Sequence, residues 1–257
     1  VLILATVGFL VTSFMLSGAI PTMIVYGLDL LTPKLFLPVG CILCAIVGMA
    51  CGSSWTTTAT IGLAFLGIGA GLGIPAPITA GMIISGAYVG DKFSPLSDTT
   101  NLAAAVAETG LFDHVTAMVS TTGPTLLLSL ILYTILGLNV DTSAYDATVA
   151  EGIQEAFRGA FTISPILLLP IIVVIVMCIL RVPGLVGIAV SVATAVLFML
   201  IFQSTDIFYS YSLGDIFDVL HYGNAVETGN AVADSILGKA KGMDGMMWTI
   251  NLILVAL

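Results

Sequence analysis

A polar stretch at residues 86–108, GAYVGDKFSPLSDTTNLAAAVAE, interrupts an apolar part of the chain and carries the side chains best suited to chemistry. Its two aspartates, Asp91 and Asp98, stand among hydroxyl and amide oxygens. Such oxygens are hard ligands, which suit a small hard cation such as Na⁺ better than a soft metal. The candidate ion ligands are therefore the carboxylates of Asp91 and Asp98, with neutral oxygens from Ser94, Ser97, Thr99, Thr100 and Asn101.

A second polar interruption, GSSWTTTAT, lies in the middle of an apolar segment that runs from about residue 35 to 73. One straight helix of that length would reach about 55 Å, nearly twice the hydrocarbon thickness of a bilayer. The segment is therefore expected to break near 52–58 and fold back as a re-entrant hairpin, inside protein or a wet cavity. The hydroxyls at its tip are further candidate ligands: Ser53, Ser54, Thr56 and Thr57.

The polar stretch at 86–108 also predicts a broken helix over about residues 75–110. Pro95 cannot continue a helix, whereas Ser97 or Asp98 is a good N-cap for a second helical half. Two broken segments in succession are typical of secondary transporters, which expose unwound backbone and helix ends to ions near the bilayer midplane. Two alternatives stay open: the acids, with Lys92 as a partner for Asp91, only stabilise a broken helix, or the stretch is a polar loop outside the bilayer.

The composition indicates an integral membrane protein. The 257 residues are 58% hydrophobic and 8% charged, whereas a soluble domain carries about 25% charged residues. We expect an all-α polytopic membrane protein with about six to eight membrane segments, some of them incomplete. With six Lys and Arg in the chain, a basic patch cannot form, which excludes nucleic acid as a partner. The four cysteines lie in apolar runs and are interpreted as small helix-packing residues.

The chain divides into regions of different polarity. The first apolar span is expected to break at Gly18 and Pro21. Because neither end resembles a natural terminus, we interpret the chain as a fragment. The predicted regions are a transport region at 1–138, an extramembrane loop at 139–160, two transmembrane helices at 161–203, a polar surface connection with short helices at 204–244, and the start of a further span at 245–257.

Two other titratable side chains are candidates for a proton relay. His114, in LFDHV, stands where a helix is expected to meet the membrane interface, and imidazole titrates near neutral pH. Glu108 ends the predicted second half of the broken helix. For both residues the alternative is an ordinary polar side chain at a solvated helix end.

Three motifs carry a resemblance to a known family. SGAIPTMIVYGL, ATIGLAFLGIGAGLGIP after GSSWTTT, and above all SGAYVGDKFSPLSDTTNLAAAVA resemble the NhaC family of sodium/proton antiporters, within the ion transporter superfamily. The resemblance covers most of residues 1–138. It implies an inverted-repeat transporter of a bacterial inner (plasma) membrane, with the end of one repeat and, from residue 245, the start of the next.

Within that resemblance we expect Na⁺ and H⁺ to compete for Asp91 and Asp98, without a further cofactor. The alternative is a Na⁺-coupled antiporter of small organic acids of the malate and lactate type. In that case an added dicarboxylate would stimulate the Na⁺ flux. A third hypothesis is a noncatalytic membrane scaffold, which predicts no ion flux. The sequence leaves monomer and homodimer open.

Overall fold

A computed structural model describes residues 2–94, 97–139, 147–180, 182–203, 213–223, 226–238, 240–247 and 251. All regular elements in these ranges are helical, which confirms the all-α fold class. The α-helices are α1 (Leu2–Leu16), α2 (Ala19–Leu30), α3 (Pro33–Cys51), α4 (Ser54–Thr57), α5 (Leu63–Gly71), α6 (Ala76–Phe93), α7 (Asp98–Val106), α8 (Leu111–Leu138), α9 (Ala147–Ala160), α10 (Leu169–Ile179), α11 (Gly184–Phe202), α12 (Leu213–Tyr222) and α13 (Ala231–Leu237).

The first apolar span is broken where the sequence predicts it. Helices α1 and α2 meet at 61°, and Gly18 between them has a φ of +80°. This left-handed backbone conformation carries little cost for glycine because it has no Cβ atom. Pro21 lies in the first turn of α2, where its missing N–H removes no hydrogen bond within the helix.

The segment at 35–73 doubles back on itself. Helix α3 ends at Cys51, and Gly52 adopts a φ of +64° while its N–H donates to the Gly48 carbonyl at 2.8 Å. After α4 and a π-helical turn at Thr58–Gly62, α5 runs back along α3, since the ring centroids of Phe36 and Phe65 are 5.9 Å apart. The chain thus has the hairpin that its length and its polar tip predict.

Helix α6 packs closely against α3 through small residues. A Cβ atom added at Gly86 or Gly90 would lie under 3.0 Å from the backbone of α3, at Cys41 and Ala45. Small residues four positions apart allow two helices to approach this closely. Cys41 and Cys44 are fully buried and free of disulfides, in keeping with a role in packing.

The longest helix, α8, ends the region at 1–138 that the sequence predicts to be the transport region. It has Pro124 inside it and packs through its C-terminal part, where the Tyr133 and Ser85 hydroxyls are 2.9 Å apart. In the described residues, α8 and Leu185–Phe202 are long and apolar enough to cross a membrane, and counting each bent pair as one span gives up to four spans. The remaining apolar segments are shorter because glycines and prolines break them.

By contacts the chain forms two compact units. One contains Val1–Tyr26, Thr148–Val174 and Val182–Leu257, and the other contains Gly27–Ala147 and Ile175–Arg181. Helices α12 and α13 of the first unit lie in the 204–244 stretch, where short helices are expected. The further span expected at 245–257 lies mostly outside the described residues.

In the first unit, the Gln203 side chain forms hydrogen bonds at the break between α1 and α2. Its buried side-chain amide donates to the carbonyls of Ser17 at 3.0 Å and Thr162 at 3.2 Å, and its Oε1 accepts from the Thr162 N–H at 2.9 Å. At this break the Ser17 carbonyl therefore has a protein hydrogen-bond donor. The second unit contains the candidate site.

Candidate functional site

The tip of the hairpin is shaped by Ser53. Its hydroxyl accepts hydrogen bonds from the Thr56 N–H at 3.2 Å and from the Thr56 hydroxyl at 3.1 Å. This is the N-cap arrangement, in which a serine oxygen satisfies an N–H that lacks a partner within the helix. Because Ser53 fixes the start of α4, Ser54 is held as the first residue of the helix.

Ser54 joins the hairpin tip to the end of α6. Its hydroxyl donates to Oδ2 of Asp91 at 3.0 Å, across 37 positions of the sequence. Both side chains are buried, with 4% of Ser54 and 9% of Asp91 exposed. The two polar interruptions that the sequence places in separate segments therefore meet at one carboxylate.

The Asp91 carboxylate has no cationic partner among the described residues. Ser54 is its side-chain hydrogen-bond donor there, and neighbouring Lys92 is exposed and forms no ion pair with it. The alternative in which Lys92 neutralises Asp91 thus finds no support in the geometry. Buried charges are normally paired or coordinate a metal ion. The described residues therefore supply no charge that balances this carboxylate.

The described residues on the two sides of the break between α6 and α7 are joined by hydrogen bonds from a hydroxyl group. Ser97 is the N-cap of α7, accepting from the Thr100 N–H at 3.3 Å, which confirms the predicted capping position. The Thr100 hydroxyl lies 3.4 Å from the Asp91 carbonyl and 3.4 Å from the Lys92 carbonyl, at the end of α6. These bonds hold the two helical halves together at the residue that carries the carboxylate.

The other predicted ligands are placed around this pair. Ser94 is fully buried, and its N–H donates to the Asp91 carbonyl at 3.2 Å. Thr99 and Asn101 are exposed, although the Thr99 hydroxyl lies 2.9 Å from that of Ser97 and the Asn101 amide donates to the Ser97 carbonyl at 2.8 Å. Asp98 begins α7, but its side chain lies outside the described residues.

Thr56 and Thr57 of the tip are buried, and their hydroxyls turn back to Ser53. The Thr57 hydroxyl donates to the Ser53 carbonyl at 2.9 Å. Of the tip side chains in the described structure, Ser54 is the one that bonds to the Asp91 carboxylate. Direct ion contacts from Thr56 and Thr57 stay predictions.

The two relay candidates lie at the ends of helices. Glu108 is exposed between α7 and α8, with a φ of +51°. His114 lies in the first turn of α8 and is half-buried, and its Nε2 atom is buried without a hydrogen-bond partner. In the described part of the chain, no hydrogen bond joins either side chain to Asp91. Their roles as relays stay predictions.

A cavity of about 320 Å³ lies beside the Ser54–Asp91 pair, and Ser54 is the one lining residue that the sequence also predicts as a site residue. Its position could have been found by projecting α6 as a helix, because residues 84, 88 and 91 follow at intervals of four and three and share one face. The lining residues are Ser54, Trp55, Thr58, Ile84 and Tyr88.

The family and the relatives that this chain matches are described as antiporters. The family described as "Na+/H+ antiporter family" matches residues 86–257. Over the whole chain, identity is 37% to the arginine/ornithine antiporter ArcD of Halobacterium salinarum, 36% to the Na(+)/H(+) antiporter NhaC of Alkalihalophilus pseudofirmus and 34% to the malate-2H(+)/Na(+)-lactate antiporter of Bacillus subtilis. The chain covers 52%, 54% and 53% of these relatives, about half of their length. No solved structure matches.

Proposed function

This chain belongs to the Na⁺/H⁺ antiporter family, and on that premise we propose that its protein exchanges Na⁺ for H⁺ across a membrane by alternating access. The relatives named NhaC confirm the resemblance that the sequence motifs predict. The proposal makes the protein a secondary transporter rather than an enzyme. A bacterial inner membrane is the location we propose for it.

The observation that supports this function best is the buried Asp91 carboxylate with Ser54 as its donor. A carboxylate has about four lone-pair sites, so one hydrogen bond from Ser54 leaves others for a cation. Protonation removes the negative charge that attracts Na⁺, so the two ions compete for the same group. Competition at a single carboxylate is the simplest physical basis for exchange.

The remaining ligands of the proposed Na⁺ site come from the same break. Asp98 supplies a second carboxylate in this proposal, and Ser94, Ser97 and Thr100 supply buried neutral oxygens close to the end of α6. Unwound backbone carbonyls and helix ends are the usual ion ligands of broken helices in transporters. The exposed Thr99 and Asn101 are proposed to contribute when the site opens to water.

The organic-acid alternative has less support from the site. A malate or lactate anion would meet the negative charge of Asp91 in a buried setting, where like charges repel strongly. The similarity to a malate/lactate antiporter keeps the alternative testable. A homodimer likewise stays a prediction.

The test is a flux assay of the complete protein in proteoliposomes with an acidic interior. We expect uptake of radiolabelled Na⁺ that stops when the pH gradient is collapsed, with no stimulation by malate or lactate. Asp98→Asn is expected to abolish this uptake. Stimulation by the dicarboxylate would favour the organic-acid alternative, and absence of any flux from the folded protein would favour a scaffold.

A further inference from the structure

The walls of the cavity beside the Ser54–Asp91 pair are almost entirely apolar. Ser54 is both a wall of the cavity and the hydrogen-bond donor to Asp91, so the cavity ends one hydroxyl away from the carboxylate. The Thr58 hydroxyl is occupied, since it donates to the Ser54 carbonyl at 2.8 Å. The Asp91 carboxylate therefore lies next to the Ser54 wall of the cavity.

Two of the five residues that line the cavity are aromatic. Trp55 is 56% exposed and Tyr88 is 50% exposed, and Ile84 also lines the cavity. Tyr88 stands one helical turn before Asp91 on α6, and Trp55 follows Ser54 on α4. The rings are thus attached to the same two elements that carry the hydrogen-bonded pair.

We propose that this cavity binds a small organic ammonium cation, with its charged head at the Ser54 end and its apolar body against Trp55 and Tyr88. The inference rests on the proposed function, because it takes Asp91 as the cation-attracting group. The bound cation competes with Na⁺, since both are drawn to the same carboxylate.

The chemistry of the walls selects a cation over an anion or a neutral molecule. No basic side chain lines the cavity as described, so an anion has no charge partner there and would be repelled by Asp91. The faces of Trp and Tyr rings attract ammonium groups, and pairs of such rings recognise quaternary ammonium ligands. A volume of about 320 Å³ also falls within the usual range of small-molecule pockets.

The experiment measures inhibition of Na⁺ uptake by the complete protein with benzyltrimethylammonium, a permanent cation that cannot carry protons across the membrane. The expected result is competition: the apparent KM for Na⁺ rises with inhibitor concentration and the maximal rate is unchanged. Benzyl alcohol and benzoate are the matched neutral and anionic probes, and neither should compete.

A pair of variants at Tyr88 tests the position of the ligand. Tyr88→Phe keeps the ring face and should keep the inhibition constant, whereas Tyr88→Leu should weaken inhibition by about 3- to 10-fold, the range expected for one cation–π contact. Equal weakening in both variants, or none in Tyr88→Leu, would overturn the proposed position.

The outcomes for this site and for the proposed function can be told apart. If Na⁺ exchange is intact and the ammonium probe does not compete, the cavity is not an organic-cation site while the antiport proposal stands. If benzyl alcohol inhibits as strongly as the cation, the cavity binds apolar molecules, which also overturns the inference. If the wild-type protein shows no exchange, direct calorimetric titration of the probe still reports binding.

Discussion

Ser54 and Asp91 are joined by a hydrogen bond of 3.0 Å in which the serine hydroxyl donates to Oδ2 of the carboxylate, although 37 positions separate them in the chain. The bond connects the capped tip of the hairpin to the last turn of α6. Since Ser53 fixes the start of α4 and Thr100 holds the carbonyls at the end of α6, both partners are positioned by their own segments. A movement of either segment would change the environment of the carboxylate.

Loss of the Ser54 hydroxyl should weaken competition by Na⁺. Ser54→Ala removes the hydroxyl that donates to the Asp91 carboxylate, so the carboxylate is held less firmly in the geometry that binds Na⁺. The KM for Na⁺ at neutral pH is expected to rise about 10-fold, in line with about 1.5 kcal/mol for a hydrogen bond to a charged group. Ser54→Thr is the matched control, because it keeps a hydroxyl at the same position. A KM in Ser54→Ala equal to that of the wild type would exclude a role for this bond in ion binding.

The N-cap of α7 should contribute measurably to stability. Ser97→Ala leaves the Thr100 N–H without its capping oxygen, which costs about 1 kcal/mol at a helix start. The thermal unfolding midpoint of the complete protein in detergent should fall, and Ser97→Thr should restore most of it. If alanine and threonine behave alike, the hydroxyl does not cap the helix in solution.

The close approach of α3 and α6 predicts that glycine-to-alanine substitutions lower the thermal stability at some positions and not at others. Gly86→Ala and Gly90→Ala place a methyl group against the backbone of α3, and such overpacking costs about 1–3 kcal/mol. Gly123→Ala is the control, because the nearest atom to its added Cβ is Val119 Cγ1 at 3.9 Å. The thermal midpoint should fall for the first two variants and stay level or rise for the third. A common effect at all three positions would reflect helix propensity instead of packing.

Gln203 should contribute more to the stability of the folded protein than an ordinary buried polar residue. Gln203→Leu leaves the Ser17 carbonyl and both backbone groups of Thr162 without their partner, and each buried unsatisfied group costs about 1–3 kcal/mol. Ser191→Ala in α11 is the control, since its hydroxyl only bonds to the Gly187 carbonyl of the same helix. Unfolding midpoints should fall steeply for the first variant and little for the second. Similar midpoints would show that the break between α1 and α2 is held in another way.

The chain breaks were predictable because their causes are local. Gly18, Gly52 and the cap at Ser97 act through backbone conformation and capping within a few residues, so the sequence predicts them directly. The candidate carboxylate at Asp91 also followed from its place in an apolar stretch. The extra turn at Thr58–Gly62 was not predictable from the period of the apolar residues.

The partners of the site could not be predicted in the same way. The choice of Ser54 over Thr56 or Thr57 as the donor to Asp91 depends on how the hairpin packs against α6, which no local pattern specifies. The same holds for Gln203, whose contact with Ser17 spans 186 positions. Both contacts need the tertiary packing of separate helices.

The central claim is that Na⁺ and H⁺ compete for the Asp91 carboxylate, and the most direct measurement is Na⁺ uptake driven by a pH gradient in proteoliposomes of the complete protein and its Asp91 variants. Asp91→Asn should abolish uptake while the variant keeps the elution profile and thermal midpoint of a folded protein. Asp91→Glu, which keeps the charge on a longer side chain, should retain partial uptake with a raised KM for Na⁺. Exchange at the wild-type rate in folded Asp91→Asn would contradict the account.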